Sequence, residues 1–357
     1  MSRIVLMDEH VEAAVLGGAV LGGGGGGAMQ RGLDLGHLAV RIGHPVLIGS
    51  EDCEDEKVLV TCSGVGAPAA KKAFVSPRSY WRTIELLQMH SSSLINGLIT
   101  NECGGNAIVN GWLQGALLDL PIVDLPCNGR AHPTGVMGSM GLHKKKDFVS
   151  VQAFAGGDPE DNTYIEGCVS GSLTETSALV RQAAVQAQGL VGVARNPVPA
   201  SYAKANGAPG AVSMAIDLGM TMLQAKGQGA EKLVSSVIEY LNGEIVTHGI
   251  VQNLSIETSG GFDVGHIEVD GHVLTFWNEY MTLEKKNGER MSTFPDLIMT
   301  MDGESGMPVT SAEIQKSQSI YIIAVPKEHL RLGEGMRCIE LLSDVERVVH
   351  KNIISYL

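Results

Sequence analysis

The stretch "SLINGLITNECGGNAIVNGWLQGALLDLPIVDLPCNGR", Ser93–Arg130, decides the fold of the first half of the chain. An apolar run ("LINGLIT"), a polar glycine-containing loop, an apolar helical segment ("AIVNGWLQGALL") and a second apolar run ("LPIVDL") follow one another in the order of a strand–helix–strand crossover. Such a unit places its two strands parallel, with ligands at the strands' carboxyl ends. Here those ends carry "NECGGNA" and "DLPCNGRAHPTG", and the upstream strand "KVLVTCSGVGAP" ends in a third such loop, turning at Gly64, Gly66 and Pro68. The pattern predicts that the three loops converge on one edge of a sheet.

Working outward, Asp8 is the expected N-cap of an alanine-rich helix reaching Val20, followed by "LGGGGGG", Leu21–Gly27, and a second helix ending near Gly43. A dinucleotide-binding loop is disfavoured, because its glycines would follow a strand rather than a helix and no GK[ST] follows them. Two readings stay open: a flexible link between helices, or a loop whose bare backbone lets a substrate approach N–H donors at Gly24 and Gly25. "SVQAFAGG" and "YIEGCVSGS" read as strands, and Ser172 with Glu175 as a capping box opening a helix that ends near Gly189. Helical stretches follow over about 211–225 and 230–241. From Gly243 onward period-two alternation dominates, with "VDGHV" and "KKNGER" as hairpin signals, and "MRCIELLSDVERVVHKNIISYL" reads as a helical tail. The expected architecture is an α/β N-terminal domain with a mainly parallel sheet, residues 1–166, plus a C-terminal α+β, β-rich domain, residues 167–357.

Composition narrows the function. The 357 residues are 44% hydrophobic and 18% charged, and 45 are glycine, the profile of a globular chain with many tight turns. With 26 Lys plus Arg against 39 Asp plus Glu, the net charge is −13, and the one basic cluster, Lys144–Lys146, is too short to track a phosphate backbone. Nucleic acid is therefore not an expected partner, and 4% aromatic residues offer no base-stacking platform. Asp8, Glu9 and Glu12 stand where a signal peptide would be apolar, and no apolar run is long enough to span a bilayer. The expectation is a cytoplasmic, membrane-free protein, assembled as a homo-oligomer. Six cysteines without a CxxC pair point away from a disulfide scaffold or zinc ribbon, so a functional cysteine acts singly.

The loop Asp124–Gly135 concentrates the chemistry. Asp124 ends an apolar strand and needs a partner, either Arg130 in a structural pair or a metal ion. Cys127 follows Pro126 in a loop, where a neighbouring cation would favour its thiolate as a nucleophile or soft metal ligand. His132, five residues on, can point at the same atom, and Glu102 and Cys103 occupy the adjacent loop. The catalytic set is thus Cys127, His132, Asp124 and Glu102, and the metal ligands are Cys127, His132 and Cys103. Arg130, Asn106, Gly24, Gly25, Gly66, Asn278 and Glu279 are the substrate-binding candidates; the last two flank the end of an apolar strand beside Trp277. Asp263, His266, Asp296 and Asp302 sit in segments where turn chemistry is the first explanation, and for Asp302 in "MDGESG" it is the preferred one.

The ordered motifs "LGGGGGG", "GVGAP", "NECGGN", "PIVDLPCNGRAHP", "GGFDVGH", "WNEY" and "FPDLIMTMDGESGMPVT" resemble the S-methyl thiohydantoin desulfurase-like family over nearly the whole chain. The resemblance implies an N-terminal α/β domain, a β-rich C-terminal domain and hydrolysis of a small nitrogen heterocycle of the thiohydantoin or hydantoin type, zinc-dependent in the characterised branch. Zn²⁺-bound water would attack the ring carbon between the two nitrogens and release sulfide or a thiol, with Arg130 orienting a substrate carboxylate and glycine-loop N–H groups holding the tetrahedral anion. The sequence departs from the family pattern around "GRA", where Cys127 and His132 replace an expected glycine and aromatic residue. Two other classes remain open: a metal-free cysteine hydrolase or lyase acting on a cyclic amide, with Cys127 as nucleophile and His132 as base, and a non-catalytic small-molecule binding protein.

Overall fold

The computed structural model describes residues 3–66, 72–260 and 262–357. Pro68, expected in the turn after the second apolar strand, lies outside them. Short β1 (Ile4–Val5) leads into α1 (Asp8–Leu21) and α2 (Met29–Gly43), then β2 (Val46–Gly49), β3 (Val58–Gly66) and α3 (Pro77–His90). The stretch that opened the analysis folds as β4 (Gly97–Thr100), α4 (Trp112–Leu118) and β5 (Ile122–Asp124), as its periodicity requires. Next come β6 (Ser150–Gly156), β7 (Ile165–Gly171), α5 (Leu173–Gln186), β8 (Leu190–Pro199), α6 (Ala200–Asn206), α7 (Ala211–Ala225) and α8 (Ala230–Leu241).

The first sheet has the strand order β1-β2-β5-β4-β3-β8-β6-β7. Its centre is parallel, β2 with β5, β5 with β4 and β4 with β3, while β8, β6 and β7 join antiparallel, so the sheet is mixed. Residue 166 falls inside β7, and β8, from beyond it, pairs along the length of β3. The remaining chain forms β9 (Glu244–Ser259), β10 (Phe262–Val269), β11 (His272–Trp277), β12 (Glu279–Lys285), β13 (Arg290–Thr293), β14 (Leu297–Asp302), β15 (Pro308–Val309), β16 (Ser319–Val325) and α9 (Ile339–Val349). These strands make a second, wholly antiparallel sheet, β13-β12-β11-β10-β9-β16-β14-β15. The "DG" pair turns β10 into β11 with positive φ at both Asp270 and Gly271, as a type I′ hairpin requires.

α1 shows no amphipathic stripe because it is buried on every side from Ala13 to Leu21. Its N-cap is Met7 rather than Asp8, which instead sits in the first turn with its carboxylate 2.6 Å from His37 Nδ1. Ser172 caps α5 by accepting the Glu175 N–H. Among the described residues no helix is long and apolar enough to cross a membrane.

α1 crosses α7 on small residues, and this crossing ties the start of the chain to the segment entering the second sheet. The helices approach so closely that a β-carbon at Gly219 would lie 1.8 Å from the carbonyl oxygen of Ala13. Ala is the better helix former by about 1 kcal/mol, yet here the obstacle is backbone, which cannot swing aside. Gly219→Ala is therefore expected to destabilise the protein by about 1–3 kcal/mol, the usual cost of overpacking. Urea unfolding measures this; an unchanged or raised stability would contradict the crossing.

Candidate active site

A cavity of about 150 Å³ opens where the three strand-end loops meet the turn between β11 and β12. β3 contributes Gly64–Gly66, the loop after β4 contributes Asn101, Glu102, Asn106 and Asn110, and the loop after β5 contributes His132–Gly135. Gly26, Gly27 and Ala28 close one side, Asn278 and Glu279 another, and Arg31, Arg181 and Arg195 supply positive charge. The convergence predicted from the parallel crossover is thus realised. A more open cleft of about 590 Å³ surrounds Asp124, Asp217, Tyr240 and Arg331. It carries less chemistry, because its one buried carboxylate, Asp124, is already committed elsewhere.

Glu102 and His132 form the centre. The Glu102 side chain accepts the backbone N–H of His132 at 3.2 Å, and the His132 ring nitrogen Nε2 lies 3.2 Å from the same carboxylate oxygen. Neither ring nitrogen makes a well-formed hydrogen bond among the described residues. Burial pushes the Glu102 carboxyl up to about 7, against the pull of the His132 N–H and of Arg195. Burial, together with the Arg195 charge, pushes His132 down to about 3, so its imidazole is neutral. A carboxyl pushed up to about 7 beside a ring that stays neutral is the kind of environment that suits a general base.

Glu279, 2% exposed, is the second carboxyl. Burial first, and the Glu102 charge second, hold it well above the ordinary carboxylate range, and its Oε2 has no partner among the described residues. It packs on the glycine loop so tightly that a β-carbon at Gly25 would lie 2.0 Å from its Oε1. On the other side, a β-carbon at Gly26 would meet the Cα of Gly104 at 2.5 Å. The loop is therefore glycine because it is wedged between the strand-end loops and β12, and the reading of it as a slack link between helices gives way to this one. Gly24 and Gly25 face a neighbouring cavity rather than the main one.

Several expected residues take other roles. Arg130 is fully buried, donates from Nη1 to the carbonyls of Pro295 and Asp296, and lies 4.7 Å from the ring centre of Phe294. Burial brings it down to about 10, while Glu279 and Asp296 sustain its charge. It does not line the cavity, and its Nε and Nη2 have no partner among the described residues. Asp124 accepts the N–H groups of Val212 and Ser213 and the Ser213 hydroxyl, so it caps the first turn of α7.

The three expected metal ligands do not converge. The Cys103 thiol donates to the carbonyl of Ala211 at 3.6 Å, Cys127 Sγ lies 3.4 Å from Thr61 Oγ1 on β3, and His132 sits with Glu102. The loop after β5 runs beside the loop after β4, with Cys127 N–H donating to Thr100 and Asn128 N–H to Asn101, and this turns the thiol inward. Among the described residues no group of three or more His, Cys, Asp or Glu side chains is placed to hold a metal. Zinc needs three or four convergent donors, so these residues do not fit it. Burial also pushes the Cys127 thiol up to about 11, the opposite of an activated nucleophile.

Arg195, Arg181 and Arg31 escaped the sequence reading. Arg195 had a signal: it is a charged residue inside the apolar run "LVGVARNPVP", and it is buried with Nε unpartnered among the described residues.

Comparison with known proteins agrees with this architecture. The S-Me-THD-like N-terminal domain matches residues 9–165 and the S-Me-THD-like C-terminal domain matches residues 172–340. A crystal structure of a protein from Chromobacterium violaceum superposes with a TM-score of 0.69 over 97% of both chains at 18% identity, a likeness of fold. No curated protein matches the chain. These two matches, which together span most of the chain, make it a member of the S-Me-THD-like family.

Proposed function

We propose that the chain is a hydrolase of a small nitrogen heterocycle of the thiohydantoin or hydantoin type, releasing sulfide or a thiol, and that Glu102 is its general base. The observation that carries this reading is the buried Glu102–His132 pair in a cavity that also holds the second carboxyl, Glu279. The family description supports the ring class.

The chemistry closes on protein groups. Ionised Glu102 takes a proton from water as the oxygen adds to the ring carbon between the two nitrogens. The ring C=N bond opens onto nitrogen, which takes the proton of Glu279. In the second half, Glu279 recovers a proton from the new hydroxyl, the carbonyl forms, and the C–S bond breaks. The departing thiolate takes the proton held by Glu102, so both carboxyls end as they began and one water has replaced one thiol. The single negative charge passes from Glu102 to Glu279 at the tetrahedral stage, and the charges of Arg130 and of Arg195, on the cavity wall, offset it. The backbone N–H of His132 holds the Glu102 carboxylate in place.

Because the base must be ionised, kcat/KM for methanethiol release from an S-methyl thiohydantoin is expected to rise with pH through about 7. Glu102→Gln is expected to lower kcat by about 10²–10⁴, the usual worth of a positioned base. Full activity in that variant would overturn the assignment, and saturable ring binding without product would make the protein a binder.

Cys127→Ser is expected to keep turnover within a few-fold, and native Cys127 to resist iodoacetamide at pH 8, since its thiol is buried and its pKa is pushed up to about 11. Lost turnover in a variant with unchanged melting, together with a covalent adduct on Cys127 in mass spectra, would restore the cysteine mechanism.

A further inference from the structure

Behind the glycine loop lies a second cavity of about 150 Å³, lined by Gly24, Gly25, Asp263, Asn278, Thr310 and Glu313 among others. It adjoins the main cavity, since Gly27, Ala28 and Asn278 face both. Cavities of this size elsewhere admit a six-carbon ring, so it has room for a short chain or a small amine.

Its floor is Asp263, on β10. The backbone of this residue is fixed by Asn278, whose N–H donates to the Asp263 carbonyl at 2.7 Å and whose side-chain oxygen accepts the Asp263 N–H at 2.9 Å. One carboxylate oxygen accepts the Thr258 hydroxyl at 2.6 Å. The other, Oδ2, has no partner among the described residues, although the residue is only 1% exposed. A buried carboxylate oxygen without a donor is costly. Among the described residues no Lys, Arg or His lines this cavity, and Glu313 adds a second carboxylate at the rim, held by the N–H and hydroxyl of Thr310. The neighbouring cavity, by contrast, is lined by three arginines. Turn chemistry accounts for the backbone of Asp263 and for one of its oxygens, not for the second.

We propose that this cavity is a binding subsite for a cationic nitrogen, a primary ammonium or a similar small organic cation, with Asp263 Oδ2 as its main acceptor. The cation arrives either on the side chain of a ring ligand seated in the main cavity, a form that rests on the heterocycle reading, or as a free amine. An ammonium donates to Oδ2 and supplies the charge the cavity lacks, whereas an alkyl tail of the same length would strand Oδ2 without a donor.

Calorimetric titration of 5-(4-aminobutyl)hydantoin against 5-pentylhydantoin, matched in length, tests this in the wild type and in Asp263→Asn. The expected result is a preference of about tenfold or more for the amine in the wild type, the effect of one charge-assisted hydrogen bond, falling to within about twofold in Asp263→Asn. Equal binding of the two by the wild type, or a preference that survives the substitution, would overturn the subsite. If Asp263→Asn does not melt cooperatively, Glu313→Gln at the exposed rim replaces it and must reduce the preference several-fold; an unchanged ratio overturns the proposal. Melting in propylammonium chloride against sodium chloride separates the two readings. Protection of the wild type by propylammonium, lost in the variant, with neither hydantoin bound, keeps the subsite and removes the heterocycle. No protection and no binding removes both.

Discussion

The glycine loop after α1 has to pass between the strand-end loops of one sheet and the β12 strand of the other, with no room for a side chain at the tightest points. The rest of the site depends on that passage. α1 is anchored by its crossing with α7, so the loop emerges at a fixed place, and Glu279 is pressed against it from the second sheet. The cavity therefore exists only where both sheets are present, which explains why its polar groups come from segments as distant as residues 26 and 279.

Burial sets the electrostatics of the assembly. Two carboxyls and a histidine are taken out of water together with a cluster of arginines, and each is held away from its ordinary state by desolvation before any pairwise charge acts. Arg130 illustrates the economy of the design. One nitrogen of its fork, Nη1, donates to the backbone carbonyls of the Pro295–Asp296 turn, which pins the loop after β5 to the second sheet, while Nε and Nη2 have no partner among the described residues. A cation so fixed stabilises charge in its neighbours without competing for the ligand.

Much of this was legible in the chain. The crossover around residues 93–130 and the period-two half follow from local periodicity, and the rule that ligands sit at parallel strand ends brought out Glu102, Asn106, His132 and Gly66. β8 was not legible, because Arg195, Asn196 and two prolines interrupt its apolar run, and its arginine was missed with it. α3 was missed although Ser76 and Pro77 mark its start, since its body is mostly polar. The cysteines misled for a different reason. Nothing in "DLPCNGR" says which way a loop residue faces, and only the pairing of this loop with its neighbour turns Cys127 toward β3. Asp124 reads the same whether it caps a helix or serves a site, because its partners lie almost ninety residues away.

The claim on which the account rests is that Glu102 is a carboxyl that changes state near neutrality in the folded protein. Infrared difference titration of the carboxylic-acid carbonyl band, comparing wild type with Glu102→Gln between pH 5 and pH 9, reads this directly. The expected result is a band that disappears with a midpoint near 7 in the wild type and is absent from the variant. A Glu102 carboxyl already ionised at pH 5, with no difference between the two proteins, would contradict the account.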